Sequence, residues 1–165
     1  MGVSMRIDFS QLEKFITGMG TRIAIIPNNV KRQMIVIAAD YVRKEVWKRS
    51  NTTIKGPYWL GTVAGATFVD NKHLGDLEPY VEINFKGTTN QYFEPRRNPP
   101  GIRKNSTRRI AEVAFLNEYG VPTKQKPRNF LLDSLEVGII RAMDDLEAII
   151  MDYIVKQYSY AVDFG

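Results

Sequence analysis

Residues 28–48 read NNVKRQMIVIAADYVRKEVWK, and the fold turns on how that stretch is read. Its apolar residues Val30, Met34, Ile37, Ala38, Tyr41, Val42 and Val46 recur every three or four positions, the period of one face of an α-helix. Lys31, Arg32, Gln33, Arg43, Lys44 and Lys48 fall on the opposite face. Asn28 and Asn29, just after Pro27, offer an N-cap. The spacing therefore predicts an amphipathic helix of about five turns, roughly 30 Å long, whose natural place is across one face of a sheet.

Candidate strands for that sheet lie on both sides of the helix. Met5, Ile7 and Phe9 alternate with Arg6 and Asp8, a period of two that predicts a short strand. Thr62–Val69 is small, β-branched and apolar, and Tyr80–Lys86 alternates with Val81, Ile83 and Phe85 inward. Ile110–Tyr119 reads as a fourth strand, with Ala111, Val113, Phe115 and Tyr119 on one face and Gly120 ending it. Two further helices are predicted. Ser10 with Glu13 forms a capping-box pattern ahead of Leu12, Phe15, Ile16 and Met19, in a short helix ending near Gly18 or Gly20. From Asn129 to Gln157, the residues Leu131, Leu135, Ile139, Ala142, Leu146, Ile149, Ile150 and Tyr153 give a helix of about seven turns, roughly 40 Å. The segments Ser50–Gly61, Asp70–Pro79 and Gly87–Arg109 read as loops. The order strand, helix, helix, strands, helix predicts an α+β fold. In it an antiparallel sheet of about four strands is packed by a long amphipathic helix and a long C-terminal helix.

Composition sets the outer limits. At 165 residues, with 44% hydrophobic and 25% charged, the chain is expected to fold as one domain over 1–165, carrying an exposed basic loop at about 87–109. No apolar stretch approaches the ~20 residues of a membrane span, and no secretion signal follows Met1, so synthesis in the cytoplasm is expected. With no cysteine, disulfides, thiolate nucleophiles and cysteine-based metal sites are excluded. The net charge of +5 and pI near 9.4 favour anionic surroundings without matching a dedicated DNA-binding domain.

Catalytic patterns are sparse. His73 is the single histidine, which removes His-based triads and multi-histidine metal sites. Residues 56–62, GPYWLGT, have the spacing of a phosphate-binding loop but lack its lysine. Asp144 and Asp145, with Asp133, Glu136, Glu147 and Asp152, place many carboxylates on the last helix. A carboxylate-only metal site stays open, while helical spacing puts several of them on the polar face opposite the leucine stripe, which favours a solvated face or a subunit contact. No enzyme activity and no cofactor is expected.

The segment 87–109 gathers Arg96, Arg97, Arg103, Lys104, Arg108 and Arg109 against Glu94. Guanidinium forks suit phosphates and carboxylates alike, so three readings stand: a solvated loop, a docking loop for a neighbouring protein, or a DNA contact. Tyr58, Trp59, Tyr92 and Phe93 are candidate interface anchors or lids on the core.

Residues 111–135 run AEVAFLNEYGVPTKQKPRNFLLDSL. This stretch resembles the signature of the tail-completion (neck) family of siphophages, in which a strand ending Glu-Tyr-Gly, a short turn and a Pro-Arg/Ala-x-Phe-Leu segment open the C-terminal helix. The matching residues are Phe115, Glu118, Tyr119, Gly120, Pro127, Arg128, Phe130 and Leu131. Asn129 stands where the family has proline, and only Gly61-Thr62 stands for its Thr-Gly-x-Leu element. The resemblance implies a structural virion protein made in the host cytoplasm. It also implies a homo-oligomeric, sixfold ring between head-closure proteins and the tail tube or tail terminator, with genomic DNA in its lumen. Such a ring needs two different complementary sides, for which the basic helix and the acidic last helix are candidates. A DNA-binding protein or nucleic-acid enzyme using the basic loop is the rival reading.

Overall fold

The computed structural model describes residues 2–18, 26–54, 62–90, 92–94, 101–103 and 107–163, with the backbone alone for 15–18, 92–94, 101–103 and 158–163. Strand β1 (Met5–Asp8) runs into helix α1 (Phe9–Gly18), and α2 (Asn28–Thr53) follows. A short helix α3 (Thr62–Ala66) leads into β2 (Thr67–Asp70), and β3 (Tyr80–Phe85) completes a three-stranded antiparallel sheet of order β1-β3-β2. Ile7 lies opposite Val81 and Val69 opposite Ile83, which puts the apolar residues of all three strands on one face. Val81, Ile83 and Phe85 are buried, as their alternation predicts.

The α+β class and antiparallel sheet agree with the sequence; the strand count needs correcting. The expected fourth strand, Ile110–Tyr119, is helix α4. Its buried residues are Ile110, Ala114 and Glu118, four apart, and Ala111, Glu112, Ala114, Leu116 and Glu118 are strong helix formers. The alternation of Ala111, Val113 and Phe115 was a coincidence of composition, and Tyr119, assigned to the same inner face, is 58% exposed. Thr62–Ala66, expected as strand, makes the single helical turn of α3 before β2 begins.

The segment 87–109 is no plain loop either. Strands β4 (Thr88–Thr89) and β7 (Arg108–Arg109) pair antiparallel, and inside them β5 (Tyr92–Glu94) pairs with β6 (Gly101–Arg103). The nested register makes a two-stranded ribbon.

Helix starts also differ in detail. The capping box of α1 is Asp8 with Gln11, two residues ahead of the predicted pair: the Ser10 N–H donates to Asp8 Oδ1 at 2.9 Å and the Asp8 N–H to Gln11 Oε1 at 2.7 Å. At α2 the N-cap position is Pro27, whose carbonyl accepts the N–H of Val30 and Lys31. Asn28 instead donates to Leu77 O at 3.0 Å, and Arg32 Nε donates to Leu74 O at 2.8 Å. Both tie the β2–β3 loop to the helix. Helix α2 continues through Ser50–Thr53, which composition assigned to a loop; the Ser50 and Thr52 hydroxyls donate back to carbonyls of the preceding turn.

Helix α5 (Phe130–Asp163) is the longest element, about 50 Å. It runs antiparallel to α2, since Tyr41 meets Asp145, Glu45 meets Arg141 and Arg49 meets Asp133. The two backbones come unusually close at Gly138, where a Cβ would lie 2.6 Å from Val42 Cα. Glycine is the residue that permits this crossing. Because α2 touches all three strands of the sheet as well as α5, its buried arc is wide. Ile35, Ala39 and Glu45 are buried in addition to the residues its periodicity marks.

Candidate functional site

The eight residues of the signature converge where α4 turns into α5. Gly120 closes α4 with φ 75° and donates its N–H to Leu116 O at 2.9 Å. A Cβ there would lie 2.5 Å from the Gln125 carbonyl oxygen and 2.7 Å from Pro127 N, so any side chain meets rigid backbone as well as an unfavourable φ. The loop beyond it is pinned shut by paired bonds, the Val121 N–H donating to Gln125 O at 2.8 Å and the Gln125 N–H returning to Val121 O at 2.9 Å. Pro127 is exposed, and the chain then lies back on α4 as the Arg128 N–H donates to Asn117 O and the Asn129 N–H to Glu118 O.

Glu118 organises the entry to α5. It is 4% exposed, and its carboxylate accepts the backbone N–H of Leu131 at 2.8 Å and of Leu132 at 3.2 Å. Those are donors of the first turn of α5, which lack partners inside the helix, and a negative charge at that end suits the helix dipole. Arg128 is half-buried, with its pKa lowered by burial, and Nη1 donates to Thr53 O at 3.3 Å across the C-terminal end of α2. Phe130 is fully buried with its ring 6.3 Å from that of Phe85 on β3, and Leu131 is buried beside it. The rings of Phe115 and Tyr119, one turn apart, meet at a tilt with centroids 4.9 Å apart, and Tyr119 is exposed beside an open depression formed by Val121–Pro127. Lys124 and Lys126 are exposed on its rim.

The basic candidates are only partly visible. Arg96, Arg97 and Lys104 lie outside the described residues, as do Tyr58, Trp59 and nearly all of the GPYWLGT segment. Arg103 pairs with Tyr92 through the backbone of the ribbon. At the ribbon's base, Arg108 Nε is 3.9 Å and Arg109 Nε 3.2 Å from the carboxylate of Glu112 on α4. The Arg109 hydrogen bond holds the Glu112 carboxyl below the usual range. Part of the charge read from 87–109 is thus answered inside the chain. On a strand Glu112 would lie roughly 10–13 Å along the chain from those arginines, out of reach, whereas one helical turn brings them together.

Sequence reasoning also missed Glu45. It is 4% exposed between α2 and α5, held by Arg141 and, at 3.6 Å, by Arg49. His73 sits in the β2–β3 loop, its Nδ1 2.9 Å from Asp76 and its ring stacked on Tyr80 at 4.6 Å. Among the described residues no three His, Asp or Glu side chains are grouped to hold a metal, and no helix is long and apolar enough to cross a membrane. No protein-family model, no curated protein and no solved structure matches the chain.

Proposed function

We propose that the chain is a structural, non-enzymatic subunit of the neck or tail-completion ring of a long-tailed bacteriophage. The observation that carries this reading is the physical unity of the signature. Glu118, Gly120, Arg128, Phe130 and Leu131, selected by resemblance alone, form one device that fixes where α5 starts. Such a device sets the position of a long helix relative to a small sheet, and a ring subunit needs this constancy from copy to copy. Its work is adhesion and gauge-matching between a head-closure ring and the tail tube, with DNA in the lumen. The test is electron microscopy of purified protein mixed with tail tubes. Rings capping tube ends are expected, and bare tube ends at saturating protein would refute the reading.

The antiparallel pairing of β5 with β6 favours a second reading, since a two-stranded ribbon bearing arginine can enter a DNA groove. It predicts salt-dependent DNA binding by the isolated chain, whereas the ring reading predicts binding to tail tubes without DNA.

A further inference from the structure

Two outward helix faces carry apolar residues with nothing over them. On α2, Val36 is 45% and Trp47 53% exposed; on α5, Ile140 is 51% and Met151 50% exposed. Each pair is eleven residues apart in sequence, which on a helix returns to nearly the same side and separates the two anchors by about 16 Å. The two pairs therefore match in spacing, and on α5 the exposed apolar stripe runs on to Ile154 and Val155.

Their surroundings are opposite in charge. Exposed between Val36 and Trp47 lie Arg43 and Lys44 with Asp40, which both cations contact, while Glu45 is buried on the other side of the helix. Between Ile140 and Met151 lie Asp144 and Glu147, neither of which forms an ion pair among the described residues.

The stripes also face in different directions. Tyr41, Val42 and Glu45 mark the side of α2 that meets α5, and at about 100° per residue Val36 and Trp47 lie nearly opposite that side. Gly138, Arg141 and Asp145 mark the side of α5 that meets α2, and Ile140 and Met151 are turned roughly 120° from it. They occupy the two outer flanks of the helix pair. A cationic flank on one side and an acidic flank of the same anchor spacing on the other is the arrangement a head-to-tail contact requires.

We propose that the α2 flank of one copy of this chain docks on the α5 flank of the next, with Trp47 as the central anchor. Docking sets Arg43 and Lys44 against Asp144 and Glu147. The proposal deepens the ring reading by naming both sides of the subunit contact, and it rests on that reading for closure into a ring.

Sedimentation of the full chain tests it, using Trp47→Glu, the double variant Ile140→Glu/Met151→Glu, and thermal melts as a check on folding. Wild type is expected to oligomerise, and each variant alone to stay monomeric with the contact weakened roughly 30-fold or more. An equimolar mixture of the two should give a dimer that stops at two, because each variant keeps one intact flank. Should either variant fail to fold, charge reversal at Arg43 and Lys44, or at Asp144 and Glu147, replaces it. Each reversal alone weakens assembly, and a chain carrying both recovers it. Wild type that stays monomeric up to about 1 mM overturns the proposal, as do folded variants that assemble normally or a mixture that stays monomeric. Oligomers that never cap tail tubes would sink the neck reading and leave this contact standing; monomers that cap them would do the reverse.

Discussion

The two ends of one argument lie on the same helix. At its start, α5 is held by Glu118, Gly120, Arg128 and the buried ring of Phe130. About three turns further on, its outer flank offers Ile140, Asp144, Glu147 and Met151 to solvent. The first region is satisfied internally, and substitution there should be felt as lost stability. The second has no ion pair among the described residues, and on the proposed contact substitution there should be felt as lost assembly with the fold intact. The difference separates residues that build the fold from residues left free for the proposed contact.

The strongest way to break that division is Phe130→Ala. Removing a fully buried ring between α5 and β3 should cost about 3–5 kcal/mol, read as a drop in melting midpoint; an unchanged midpoint would mean the helix entry does not depend on this packing. Gly120→Ala comes next, at about 1–3 kcal/mol from the positive φ alone, with more added by contact with the Gln125 carbonyl. Glu118→Gln keeps one acceptor oxygen and loses the charge at the head of α5, so chemical denaturation should report a loss of about 1–2 kcal/mol. If this variant were as stable as wild type, the buried carboxylate would not be holding the helix end.

Smaller effects sharpen the other side of the comparison. Ile140→Ser, at a half-exposed side chain, and Arg108→Ser, at a side chain 29% exposed with a 3.9 Å contact to Glu112, should each cost no more than about 0.5 kcal/mol. A larger loss for Arg108→Ser would show that the Glu112 contact anchors the ribbon to α4. Smallest of all is the pH effect of Asp40. Its carboxyl is held below the usual range by the Lys44 hydrogen bond first, then by Arg43. A depressed folded pKa means the contribution is present above the unfolded pKa and is lost as pH falls through the folded one. Because the pair is solvated, Asp40→Asn should flatten the acid limb of the stability curve by only a few tenths of a kcal/mol.

How much of this was legible depends on what each residue buries. The alternation Val81, Ile83, Phe85 announced β3 because apolar atoms alone form that face. The helix α4 was hidden because one of its three inward residues is Glu118. A carboxylate counted as polar breaks an apolar period of four, and its burial is intelligible only once the first turn of α5 is known to end on it. Glu45 did the same to α2, where the stripe was recovered because many apolar residues surround it. The segment 87–109 offered no periodicity to read, and Glu112, the partner of Arg108 and Arg109, sits on an element of different type. In the signature, the residue types at Gly120, Pro127, Phe130 and Leu131 already pointed to a turn and a buried helix start, while Glu118 as the acceptor at the head of α5 did not show.

The long seam between α2 and α5 also has a meaning in time. Roughly 80 residues separate the end of α2 from the start of α5, which at about 5–20 residues per second is on the order of 4 to 16 seconds of synthesis. Throughout that interval Ala38, Val42 and Val46 have no α5 to cover them, and the carboxylate of Glu45 waits for Arg141. The nascent chain therefore passes through a stage in which its largest apolar seam is open, and its closure comes from a helix that is translated afterwards. Growth conditions that slow translation should lengthen that stage, and with it the window in which a chaperone, or an identical nascent chain, can occupy the seam first.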